Sequence, residues 1–60
     1  MSLNLAPNIP DHDGFYDELL AAHDGLTDAE SEAYNARIIL VLANHIGDRD
    51  ILRAAFAAAK

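Results

Sequence analysis

Apolar positions between Thr27 and Gly47, TDAESEAYNARIILVLANHIG, recur too densely for a helix with one covered side. With Ile38 at zero and steps of about 100° per residue, Tyr34, Ile38, Val41, Leu42, His45 and Ile46 share one broad face. Ser31 and Asn35 lie among them. Ile39 stands at the edge of that face, and Ala33, Ala36, Leu40 and Ala43 continue round the back as a seam of mostly small residues. Beyond the first turn the polar wedge is Glu30, Arg37 and Asn44, each seven residues from the next. A helix apolar over most of its circumference has to be covered over most of it. Both ends are signalled: Thr27 with Glu30 three residues later forms a capping box, and Gly47 before a polar residue fits a left-handed stop.

The same pattern predicts two shorter helices. One starts with Asp11 as N-cap, although Asp13 would serve nearly as well, and carries Phe15, Tyr16, Leu19, Leu20 and His23 as its stripe. Gly14 weakens its first turn. Asp24-Gly25-Leu26 ends it, with Leu26 expected to fold back on Leu20 or Ala21 in a Schellman motif. The short turn that follows calls for an antiparallel αα-hairpin, which gives the broad face of the long helix to its own hairpin and leaves the Ala33, Ala36, Leu40 and Ala43 seam over. The other helix runs from Arg49 to about Ala59 under an Asp48 cap, with Ile51, Leu52, Ala55 and Phe56 inward. Lys60 then sits at its negative end.

Before these helices, residues 1–10 (MSLNLAPNIP) have two Pro and no helical period, which reads as an extended arm ahead of a single helical domain, 11–60. Leu3, Leu5 and Ile9 alternate onto one side of it. They either lie over the helices as a lid or dock on another chain. The fold expected is all-α, a compact three-helix unit built from the αα-hairpin and a short third helix. Its form is either a closed bundle or an open hairpin with the third helix docked.

Size changes this picture. A 60-residue domain buries only about 60% of the surface its unfolded chain exposes, and small domains compensate with disulfides, metals or oligomerisation. The chain has no Cys, so disulfides and thiolate metal sites are excluded and oligomerisation is left. The apolar fraction is 52%, much of it alanine, and the uninterrupted apolar run Ile38 to Ala43 is far short of the roughly 20 residues of a membrane span. No basic segment precedes an apolar one at the start, so no secretory signal is expected and a cytoplasmic location is.

Net charge is −6, and it is unevenly spread. The stretch from Met1 to Ala36 holds eight of the ten acids and no Lys or Arg, while Arg37, Arg49, Arg53 and Lys60 hold every basic charge. Nucleic-acid binding needs a basic surface to release counterions, which this chain lacks.

Candidate chemistry is sparse. His12, His23 and His45 include no pair at i, i+4 spacing, and His23 and His45 stand at opposite ends of an antiparallel pair, so no metal site is expected. Asp11-His12-Asp13 could mimic an acid–base cluster, but a bundle this small has little room for a pocket, and helix capping accounts for the aspartates. No cofactor site, phosphate loop or nucleophile elbow is present in the sequence. Asn35 falls inside an apolar face, where an unpaired amide would cost about 1–3 kcal/mol. It therefore needs a partner, either in the turn or arm of its own chain or across a helix–helix contact whose register it sets.

The segments FYDELLAAHDGL and NARIILVLANHIGD, within a match that covers nearly the whole chain, resemble a family of very short bacterial proteins known as a domain of unknown function. Members are often encoded beside flavin-dependent aromatic hydroxylases. The resemblance implies a small companion of a larger oxidoreductase, with no catalytic residues to carry over. Two expectations follow: a non-catalytic interaction module bound to a larger enzyme, or a homo-oligomeric structural protein. The partner-interface candidates are Leu3, Leu5, Ile9, Ala33, Asn35, Ala36, Leu40 and Ala43.

Overall fold

The computed structural model describes residues 2–60; Met1, the first residue of the expected arm, lies outside the described residues. The chain is all-α: α1 spans His12–Ala22, α2 Asp28–Ile46 and α3 Arg49–Ala58. Residues 2–10 form neither helix nor strand.

Each helix begins where a side chain takes up backbone N–H groups that the first turn leaves unpaired. Asp11 accepts from the Gly14 N–H at 3.1 Å. It does so with φ 51°, the left-handed region that Asp tolerates better than most residues. A Cβ on Gly14 would run into the Asp11 carboxylate, so the glycine that weakens the first turn also makes room for its cap. At α2 the capping box is complete: the Glu30 N–H donates to Thr27 Oγ1 at 3.2 Å, and the Thr27 N–H donates to Glu30 Oε1 at 2.9 Å. Asp48 Oδ1 accepts from the N–H groups of Asp50 and Ile51 at 2.9 and 3.1 Å.

The helix ends differ from one another. Gly47 closes α2 in the left-handed region, φ 68° and ψ 12°, as its position after the apolar run predicts. The end of α1 departs from the expected Schellman motif. The Asp24 N–H returns to the Ala21 carbonyl at 3.1 Å, but the Leu26 N–H stops at His23, 3.2 Å away, instead of reaching back to Ala21. Gly25, at φ 79°, therefore occupies the third position of a β-turn, where a positive φ favours glycine.

Of the two forms open to a three-helix unit, the chain takes the open one. α2 and α3 are the helices whose backbones come close, and α1 joins α2 at its C-terminal end. The Cα radius of gyration is 13.2 Å, against about 10 Å for a fully packed domain of this length. None of the described residues is fully buried. Leu19 of α1 and its C-cap His23, Ser31, Tyr34, Ile38 and Ala43 of α2, and Ile51, Leu52 and Ala55 of α3 are half-buried. The rest of the expected α1 stripe, Phe15, Tyr16 and Leu20, is exposed. Phe56, expected inward, is also exposed, because α3 is only ten residues long and turns its Ile51, Leu52 and Ala55 side to the rest of the chain.

Candidate partner interface

Among the described residues, one polar side-chain link ties the end of α1 to α2, between residues eight apart across the turn. His23 Nδ1 lies 2.7 Å from Ser31 Oγ, and the His23 ring meets Tyr34 edge-on with centroids 5.1 Å apart. This cluster anchors the end of α1 to the first half of α2. It leaves the second half of the same face uncovered.

That second half is the clearest departure from the wheel. Tyr34, Ile38, Val41 and Leu42 were expected to pack within the chain's own hairpin, yet only Tyr34 and Ile38 are half-buried. Val41 is 67% exposed and Leu42 is exposed as well. Together with Arg37 these residues line a shallow apolar groove of about 280 Å³. The opposite side of α2 is bare too. Leu40 is 69% exposed, Ala33 and Ala36 are exposed, and Ala43 is half-buried. Ile39, Leu40, Val41 and Leu42 are consecutive, and at about 100° per residue they point in four different directions. All four are exposed, so the middle of α2 lacks cover round most of its girth.

The other candidates divide. Leu3 is half-buried, whereas Leu5 and Ile9 are exposed, so the arm does not present its three apolar residues as one lid. Its residues from Asn4 to Ile9 curve with His12 around a hollow of about 400 Å³. Asn35 is exposed, so the penalty for a buried amide does not arise within the single chain. It would arise only when another chain covers that flank. Glu30, Arg37 and Asn44 are all exposed, which is consistent with a solvated wedge.

His12 and His45 are exposed, whereas His23 is half-buried against Ser31. Among the described residues no group of three or more His, Cys, Asp or Glu side chains could hold a metal ion, and no helix is long and apolar enough to cross a membrane. The His23–Ser31 bond is the feature that reading the sequence missed. Its signal was weak: Ser31 lies at 20° from Ile38 on the wheel, beside the face but without a stated partner.

These features define an all-α three-helix unit with apolar surface on both sides of its longest helix. The chain belongs to the family described as "Protein of unknown function (DUF2783)", whose model matches residues 3–60. No curated protein and no solved structure matches it.

Proposed function

We propose that the chain is a non-catalytic helical interaction module, an accessory or stabilising subunit of a larger enzyme. The observation that carries this reading is the bare seam of α2, where Leu40 is 69% exposed between exposed Ala33 and Ala36. Small residues beside one large one let a second helix approach closely, and the exposed Leu5 and Ile9 of the arm add apolar area for the same partner. The family resemblance points to a flavin-dependent aromatic hydroxylase as that enzyme.

Pull-down of the tagged chain from its native host, read by intact mass and by flavin absorbance, tests the proposal. The expected result is a stoichiometric flavoprotein that Leu40→Asp no longer retains. Recovery of the chain with only its own copies would favour the second reading, a homo-oligomeric structural protein. Turnover by the purified chain alone would overturn the non-catalytic reading.

A further inference from the structure

We infer that the Tyr34, Ile38, Val41 and Leu42 face of α2 is closed by the same face of a second copy of this chain, with the two α2 helices antiparallel. The inference goes beyond the accessory role and does not rest on it, because this face lies opposite the Ala33, Ala36 and Leu40 seam.

Area is the first argument. The chain exposes 5309 Å², whereas a folded monomer of 6.5 kDa exposes about 3,800 Å² by the usual mass scaling. The surplus, about 1,500 Å², is nearly two standard half-interfaces of about 800 Å² each. One contact with one partner does not use it up. Two contacts do, and α2 is bare on two sides.

Spacing is the second argument. Tyr34, Ile38, Val41 and His45 follow one another at intervals of four, three and four residues, the seam of a two-helix contact, with Tyr34 at its rim beside His23. A two-fold interface must be self-complementary, each residue meeting a residue that it is met by in turn. Antiparallel pairing satisfies this when Ile38 faces Val41 of the second copy and Tyr34 faces its His45. The groove between Tyr34, Ile38, Val41 and Leu42 is then filled by its own counterpart.

Charge sets the direction. Asp28, Glu30 and Glu32 crowd the N-terminal end of α2, with no Lys or Arg ahead of Arg37, whereas beyond its C-terminal end Arg49 and Arg53 balance Asp48 and Asp50. Parallel helices would bring acid against acid. Antiparallel helices bring the acids of each copy to the charge-balanced end of the other, and like-charge contacts are what specific helix pairing avoids.

Light scattering on the intact chain, with far-UV circular dichroism, reads the mass. Spin labels then read the direction. A dimer is expected, converted to monomer by Val41→Asp but not by Leu40→Asp. Labels on Glu32→Cys should stand farther apart between copies than labels on Arg37→Cys, by about 15 Å at a rise of 1.5 Å per residue. The label distances come from chains with an intact apolar face, so they hold even where Val41→Asp unfolds the protein. A helical monomer would overturn the inference, as would a dimer broken by Leu40→Asp and not by Val41→Asp, or equal short distances at both labels. Loss of the flavoprotein in pull-down with the dimer intact would remove the accessory role and leave this inference standing.

Discussion

His23 Nδ1 and Ser31 Oγ stand 2.7 Å apart and tie the C-cap of α1 to the first turn of α2. A hydrogen bond of this kind contributes about 0.5–1.5 kcal/mol net. Ser31→Ala is expected to lower unfolding stability by about 1 kcal/mol in urea denaturation. His23→Ala should cost more, because it also removes the edge-on contact with Tyr34. Equal costs for the two substitutions would show that the ring contact contributes nothing.

The capping box at Thr27 gives a cleaner local test. Thr27→Ala removes the acceptor for the Glu30 N–H and leaves the reciprocal bond to Glu30 Oε1 without its partner geometry. Such caps are worth about 1 kcal/mol, and the loss should appear as faster amide exchange in the first turn of α2 ahead of the rest.

Gly14 and Asp11 are coupled in a way that predicts a change of sign. Replacing a helical Gly by Ala gains about 0.5–1 kcal/mol in propensity, but here the new Cβ would displace the Asp11 carboxylate that caps α1. In the native background Gly14→Ala should therefore be neutral or destabilising by a few tenths of a kcal/mol, given a cap worth about 1 kcal/mol. In an Asp11→Ala background, where no cap remains to lose, the same change should stabilise. A double-mutant cycle on the midpoint of urea unfolding checks this.

Gly47→Ala separates conformational strain from space. A Cβ there would meet only the Asn44 carbonyl at 3.6 Å, an ordinary contact, but φ 68° is a region where L residues are strained. The expected cost is about 1 kcal/mol, with fraying of the last turn of α2 seen by amide exchange. Gly47→Asn should recover part of it.

The helices and their starts were legible in the sequence because caps are local. Thr27 with Glu30, Asp48 and Gly47 act within one turn of themselves, and each sits where the pattern of residues places it. The surplus of apolar residues on α2 was legible for the same reason. What the sequence did not reveal depends on where α1 goes after the turn. The β-turn at His23 to Leu26 replaces a Schellman ending, α1 meets α2 at one end, and Val41 and Leu42 are left bare where the wheel put them inside. Asn35 stays exposed for the same reason. A wheel shows which residues share a face, but not how much of that face a neighbour reaches.

The account as a whole holds that these three helices do not complete a core within one chain and that a second chain does so. Thermal unfolding followed by circular dichroism over a hundredfold range of protein concentration tests this most directly, since association that favours the folded form raises the midpoint with concentration. The predicted result is a midpoint that climbs with concentration while the scattering mass exceeds that of one chain. A midpoint independent of concentration, in a helical species with the mass of a single chain, would contradict it.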